Sequence, residues 1–423
     1  MHDIGIIGAM VYQEGAFIKR NIYIDDRRIS DICSEQKEAK VAYDYTGLQI
    51  IPGLIDPHVH FHLDIGKYYS ADDFESGGIA AAKGGVTTVL DFTRPIAHAS
   101  ELEAAFESRI LEAQKCPIDY GFHLTLGDFE GDVEVLVSHA KALGMGSVKV
   151  FTTYSASKRK ISDIVLDKLL DLKVITMVHA EEDALVRETW TDIATYEDSR
   201  PVASELAAIE KLLKKMRKGK LYVVHVSSGS GVSILANHKN VTIESCPHYF
   251  VFDKGVYRTP EGAYYLMAPP LRSIEERQKL LSNYEYIHTI GTDHCPFKRS
   301  EKQGSEQPTF IPKGIGGIEY SFLLMHGLFG PSVIDKMSLV PAQIFGLEGK
   351  GALKIGNDAD LFVFDPEAET FVDSQAHDFD RYSPYDGMHL KGHVVATMSR
   401  GAFVWNDGKC TATRGQYVRS GWL

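Results

Sequence analysis

Two histidines close an apolar run, Ile50-Ile51-Pro52-Gly53-Leu54-Ile55-Asp56-Pro57-His58-Val59-His60. Side chains on a strand alternate with a period of two, so a strand over Leu54–His60 turns both imidazoles to one side. Paired ring nitrogens suit a divalent ion such as zinc. Lys149, His179, His225 and Asp293 likewise stand in, or at the C-terminal end of, short apolar runs. Taken singly, a histidine in such a place is more often a hydrogen-bonded core residue than a ligand. Together, four histidines, one aspartate and one lysine make a metal-binding set. The lysine is the odd member, because an ammonium repels cations and is costly to bury. Its amine becomes useful once it is neutral and has reacted with carbon dioxide. The resulting carbamate is anionic, and its two oxygens can bridge two metals.

The elements that must position these residues follow from periodicity. Short apolar runs occur at Leu54–His60, Thr87–Phe92, Asp119–Leu126, Ser147–Phe151, Val174–His179, Leu221–Val226, Val241–Ser245 and Tyr286–Thr292. Between them lie amphipathic stretches such as Ala71–Lys83, Glu101–Lys115, Asp132–Leu143, Ser162–Leu172, Ser204–Lys218 and Ile274–Ser282. This alternation predicts an α/β fold, a (β/α)8 TIM-like barrel over residues 51–348, with its reactive groups at the C-terminal strand ends. No Gly-rich nucleotide fingerprint follows the first run, which argues against an open doubly wound sheet. Strand patterns at Ile4–Ile7, Ala16–Ile18, Asn21–Ile24, Arg28–Ile32 and Lys40–Tyr45 return at Ala359–Phe364, Val394–Ser399 and Ala402–Trp405. They predict one small β-sandwich domain built from both chain ends, residues 1–50 and 349–423.

Composition narrows the function classes. Lys and Arg number 45 against 57 Asp and Glu, a net charge of −12, which argues against non-specific nucleic-acid binding. The five cysteines, Cys33, Cys116, Cys246, Cys295 and Cys410, are odd in number and widely spaced. They form no disulfide framework and fit a reducing cytoplasm. The start, Met1-His2-Asp3-Ile4-Gly5, lacks a basic segment followed by an apolar one, so no signal peptide is expected. No apolar run reaches the ~20 residues of a membrane span.

Longer motifs carry a resemblance. They are Pro52-Gly-Leu-Ile-Asp-Pro-His-Val-His60, Val148-Lys-Val-Phe-Thr-Thr-Tyr154, His179-Ala-Glu, His225-Val-Ser-Ser, Glu244-Ser-Cys-Pro-His-Tyr-Phe250, Pro269-Pro-Leu-Arg272, Gly291-Thr-Asp-His-Cys-Pro-Phe297 and Lys354-Ile-Gly-Asn-Asp-Ala-Asp-Leu361. The chain resembles the amidohydrolase superfamily in its cyclic-amidase branch of dihydropyrimidinases, hydantoinases, allantoinases and dihydroorotases. The resemblance implies that His58, His60 and Asp293 hold one divalent ion and His179 and His225 a second, zinc being the first expectation. Carboxylated Lys149 would bridge the two. A hydroxide shared by the ions would attack the ring carbonyl, and Asp293 would carry its proton to the leaving nitrogen. A homotetramer or homodimer is expected on the same ground.

The ring is read from fewer residues. Dihydroorotases usually place an Arg after the His-x-His and an Asn before Pro-Pro-Leu-Arg, where this chain has Phe61 and Ala268. Without that guanidinium a ring carboxylate loses its fork-shaped partner. Tyr154, five residues after Lys149, matches the dihydropyrimidinases and hydantoinases, where a phenol meets the carbonyl oxygen as it gains charge. Ala268 and Lys313 stand where that group usually has Ser and Asn, yet both keep the backbone groups that bind substrate. Phe61, Leu63, Ile65, Tyr68 and Phe151 are expected to receive an uncharged substituent. His248, Tyr249 and His294 are expected to pack or support by hydrogen bonds, and Cys295 to fill apolar space. The expected activity is hydrolysis of a dihydropyrimidine or 5-substituted hydantoin to an N-carbamoyl amino acid. Allantoinase is the alternative, because Ala before Pro-Pro also resembles that group. Dihydroorotase and a non-catalytic dihydropyrimidinase-like scaffold stand further off.

Overall fold

The computed structural model describes residues 1–303, 307–374, 380–411 and 413–421. Eight parallel strands form its centre: β1 (Leu54–Asp56), β2 (Val86–Phe92), β3 (Asp119–Thr125), β4 (Ser147–Phe151), β5 (Ile175–His179), β6 (Lys220–Val223), β7 (Val241–Ser245) and β8 (Thr289–Ile290). Each pairs with its sequence neighbour, from β1 round to β8. The strands are apolar throughout because helices cover the outside and side chains fill the inside. All seven residues of β2 are buried.

The helices begin where the sequence supplies caps. Asp73 accepts from the backbone of Glu75 and Ser76 at 3.0 and 2.8 Å and starts the helix Phe74–Lys83. Asp132 caps Val133–Leu143, which ends on Gly144 at φ 91°, a left-handed position where glycine avoids a Cβ clash. Ser162 and Ser273 cap Asp163–Asp171 and Ile274–Ser282.

Three barrel strands stop two or more residues short of their predicted ends. The first was expected to reach His60 but ends at Asp56. Pro57 has no N–H to continue the ladder, and the Asp56 carboxylate takes the His58 N–H at 3.1 Å. The same carboxylate takes the Thr292 N–H at 3.1 Å and its hydroxyl at 2.6 Å, so β8 ends early too. Lys220–Val223 likewise stops before His225, whose φ is 40°. Side-chain bonds therefore close the barrel between β1 and β8, helped by the His60 N–H to the His294 carbonyl at 2.9 Å. His294 consequently lies beyond a strand rather than on one.

Both chain ends build two further sheets. One has the order Arg28–Cys33, Asn21–Asp25, His2–Ile7, Ala39–Asp44. The other runs Lys409–Cys410, Ala402–Asn406, His389–Ser399, Leu361–Phe371, Gln49–Pro52, Met10–Gln13, Ala16–Lys19. Met10–Gln13 was not foreseen, since its four residues give alternation little length in which to show. Ile6, Ile22, Ile24 and Ile29 of the first sheet pack with Ile50, Leu361, Val363 and Met398 of the second. The small sandwich thus draws on both chain ends, and residues 375–379, 412, 422 and 423 lie outside the described residues.

An ionic cluster joins this sandwich to the base of the barrel. Asp119, at the start of β3, meets Lys350 and Arg400, and Lys350 also contacts Asp360 at 2.6 Å and Asp358 at 3.0 Å. The three carboxylates lie close enough to hold an ion. Lys350 and Arg400 already supply the positive charge there.

Candidate functional site

At the C-terminal mouth of the barrel is a cavity of about 900 Å³, and His58, His60, Lys149, His179, His225 and Asp293 all line it. Tyr154, Ala268 and Lys313 line it as well. Every sequence-predicted site residue therefore reaches one cavity. Among the expected apolar contacts, Leu63, Ile65, Tyr68 and Phe151 line it too. Phe61 does not: it is fully buried against Phe74 and His294. A Phe beside a site motif reads the same in sequence whether it faces ligand or core.

The polar floor falls into two groups. In the first, Nε2 of His58 and Nε2 of His60 lie 3.3 and 3.0 Å from the same Asp293 oxygen, Oδ1. In the second, His179 Nδ1 and His225 Nε2 face each other at 3.0 Å. The His58 and His225 rings connect the groups, with centroids 5.4 Å apart.

Neighbouring carboxylates fix which nitrogens carry protons. Glu244 on β7 receives His58 Nδ1 at 2.7 Å, which leaves Nε2 with its lone pair toward the cavity. Its Oε1 also takes the His225 backbone N–H at 2.9 Å, and its Oε2 the Tyr222 hydroxyl at 2.7 Å. A Cβ on Gly291 would sit 2.9 Å from both Glu244 Oε2 and His58 Cβ, so only glycine fits beside this pair. Glu181 orients His179 in the same way, accepting from Nε2 at 2.6 Å. Arg200 grips Glu181 and stacks over the Tyr154 ring at 4.8 Å, so one guanidinium steadies a floor histidine and the wall tyrosine.

The charges follow from burial and these contacts. Burial opposes ionisation of Asp293, but His58, His60 and His225 hold its carboxyl well below the usual range. Burial lowers His60, His179 and His225, which keeps their rings neutral and able to bind a cation. Burial lowers the Lys149 amine to about 8, against the pull of Asp293 and Glu244. Lys149 is only 2% exposed, and its Nζ lies over the Phe92 and Phe151 rings at 5.1 and 5.5 Å. Among the described residues no carboxylate pairs with it. Burial raises the Tyr154 phenol, against the nearby Arg200. Lys313 lies over Trp190 and donates to the Thr309 carbonyl. Burial lowers its amine to about 8.

A metal ion fits this donor set. His58 Nε2 is a buried nitrogen without a hydrogen-bond partner. His58, His60 and Asp293 each place a ligand atom within 4.8 Å of the others. Neutral imidazoles and a carboxylate, bare toward one another, are the ligand types such an ion takes.

The supporting residues were harder to read in the sequence. Glu244, Glu181 and Asp56 each interrupt or end an apolar run, which is a usable signal. Arg200 gives none, because it reaches the site from the helical segment after β5. His294 accepts at Nδ1 from the backbone of Gly317 and Ile318 at 3.1 and 3.3 Å and pairs with Asp72 at 3.0 Å. Tyr249 donates to the Pro269 carbonyl at 2.8 Å beside a buried His248, and Cys295 is buried.

Known proteins resemble this chain over nearly its whole length. A D-phenylhydantoinase of Escherichia coli O81 (strain ED1a) is 32% identical over 411 residues, covering 89% of this chain and 88% of its own. The solved structure of a D-hydantoinase from Bacillus sp. AR9 superposes with a TM-score of 0.92 at 30% identity, covering 100% of both chains. A dihydropyrimidinase from Brevibacillus agri NCHU1002 does so with a TM-score of 0.92 at 30% identity over 99% of both. Residues 49–404, which contain the barrel and every floor residue described above, match the sequence profile of the amidohydrolase family. Profile, fold and relatives agree, and the chain belongs to the amidohydrolase family.

Proposed function

We propose that this protein is a metal-dependent hydrolase that opens a cyclic amide, a dihydropyrimidine or 5-substituted hydantoin, to an N-carbamoyl amino acid. One observation carries the reading: two imidazole pairs and Asp293 meet on the floor of a cavity whose wall presents Tyr154. His58, His60 and Asp293 would hold one ion and His179 and His225 the other, with zinc favoured by the nitrogen-rich set. Lys149, buried without a carboxylate partner, would join both ions as its carbamate, forming an N–C bond to carbon dioxide and releasing a proton. When bound, the ions polarise the ring carbonyl and acidify water.

The remaining work falls to the chain. Asp293 takes a proton from the attacking water and returns it to the ring nitrogen as the C–N bond breaks. The Tyr154 hydroxyl donates to the carbonyl oxygen as negative charge grows there. Backbone groups at Ala268 and Lys313 hold the rest of the ring. Arg200 and Glu181 keep His179 and Tyr154 in register. Relatives named as hydantoinases favour the hydantoin ring over allantoin. Five unpaired cysteines support a cytoplasmic setting, and among the described residues no helix is long and apolar enough to cross a membrane. A homotetramer or homodimer rests on the resemblance alone.

The test is turnover of dihydrouracil, phenylhydantoin, allantoin and dihydroorotate by metal-loaded protein. Dihydrouracil or the hydantoin should have the highest kcat/KM, and far faster turnover of allantoin or dihydroorotate overturns the ring assignment. Tyr154→Phe should lower kcat by ~10²–10³ while metal content stays as in wild type. Glu244→Gln should weaken metal affinity ~10–100-fold, read by chelator titration, because His58 loses its charged acceptor.

A further inference from the structure

The upper wall of the cavity holds two guanidiniums that the proposed ring opening does not use. Arg94 follows β2 and Arg159 follows β4, and both line the cavity. Among the described residues neither has an ion-pair or hydrogen-bond partner for its side chain. The other cations of the wall are engaged. Arg109 pairs with Asp91 at 2.8 Å and with Glu112, Lys313 donates to Thr309, and Lys67 lies over Tyr68 at 4.8 Å.

The fold brings the two arginines to one rim. Gly127, just beyond β3, lies between their loops: a Cβ there would be 3.0 Å from the Lys158 carbonyl and 3.7 Å from Pro95. Lys158 and Pro95 adjoin Arg159 and Arg94 in sequence. The turn bearing Arg159 is closed by its own N–H to the Tyr154 carbonyl at 3.1 Å and by the Ile161 N–H to the Phe151 carbonyl at 2.9 Å. Asp183 staples that turn through the Ser155 N–H at 3.3 Å and Lys160 Nζ at 3.2 Å. Arg159 is thus carried on the same fixed turn as Tyr154, the residue that meets the ring. Two open guanidiniums are placed in this way although the whole chain carries a net charge of −12.

Resting on the cyclic-amide reading, we infer that the preferred ring carries a carboxylate on its substituent, and that Arg159 and Arg94 receive that carboxylate. This revises the expectation of an uncharged substituent. A guanidinium matches a carboxylate with two parallel hydrogen bonds, and such charge-assisted bonds are stronger than neutral ones.

The experiment uses metal-loaded full-length protein and two near-isosteric probes, hydantoins bearing a carboxyethyl or a carbamoylethyl group. Wild type should favour the acid in kcat/KM by ~tenfold or more, mainly through KM, as one to two charge-assisted hydrogen bonds predict. Arg159→Gln and Arg94→Gln should each pull the acid-to-amide ratio down, and Arg159→Lys should restore part of it. Raising salt should shrink the wild-type preference. Equal kcat/KM for both probes in wild type overturns the inference and leaves the cyclic-amide reading standing. So does an Arg159→Gln protein that keeps the wild-type ratio or loses acid and amide equally. Turnover of neither probe overturns the cyclic-amide reading, and this inference falls with it.

Discussion

Lys149→Ala should abolish ring opening and strip the site of metal in one step. The side chain is buried at the cavity floor, and among the described residues no carboxylate pairs with it. An unmodified ammonium there would repel both ions, whereas a carbamate would bind both. Truncation to alanine removes that anion and leaves a small void of similar shape. Turnover should fall at least ~10³-fold, as when a group that acts as a unit with its neighbours is lost. Metal content, read by elemental analysis, should fall in parallel. Acetate or propionate added with metal should enter the void and restore part of both. Wild-type protein stripped of metal should regain activity poorly in carbon-dioxide-free buffer until bicarbonate is supplied. An alanine variant with full metal content and normal turnover would falsify the role of Lys149.

The second large effect is expected at Asp293. Its Oδ1 lies within 3.3 Å of two histidine nitrogens, and those histidines keep it ionised despite burial. Asp293→Asn preserves shape but removes the charge that favours a cation and, on the proposed mechanism, the base that moves a proton. Loss of general acid–base catalysis alone costs ~10²–10⁴ in kcat, so the combined loss should exceed that range. Single-turnover kinetics on protein matched for metal content separates the two parts. A matched variant within ~tenfold of wild type would remove Asp293 from proton transfer.

The floor residues were legible because each is a polar residue in, or at the end of, an apolar run, and a barrel puts such positions in one place. Their support was less legible. Arg200 is remote in sequence from His179 and Tyr154, and only the folded loop brings its guanidinium to both. Strand ends were overextended for a similar reason. Alternation continues through His60, but the Asp56 carboxylate and Pro57 stop the ladder first. Periodicity records which side a residue faces and is silent about side chains that capture backbone donors. Phe61 shows the same limit, since hydrophobicity alone does not separate a ligand wall from a core.

The shared terminal sheet has a consequence for how the chain is made. Gln49–Pro52 lies between Met10–Gln13 and Leu361–Phe371, so this N-terminal strand finds the second of its neighbours only after the barrel has been synthesised. At ~5–20 residues per second, the ~300 intervening residues take ~15–60 s to emerge. Meanwhile the four-stranded N-terminal sheet, complete by Asp44, presents Ile6, Ile22, Ile24 and Ile29 with no Leu361, Val363 or Met398 to cover them. Until those strands emerge the sheet face stays open and apolar, the kind of surface that chaperones shield and that associates with other chains when they do not. C-terminal truncation would make that temporary state permanent, with the barrel strands and every residue of the cavity floor still present in the chain.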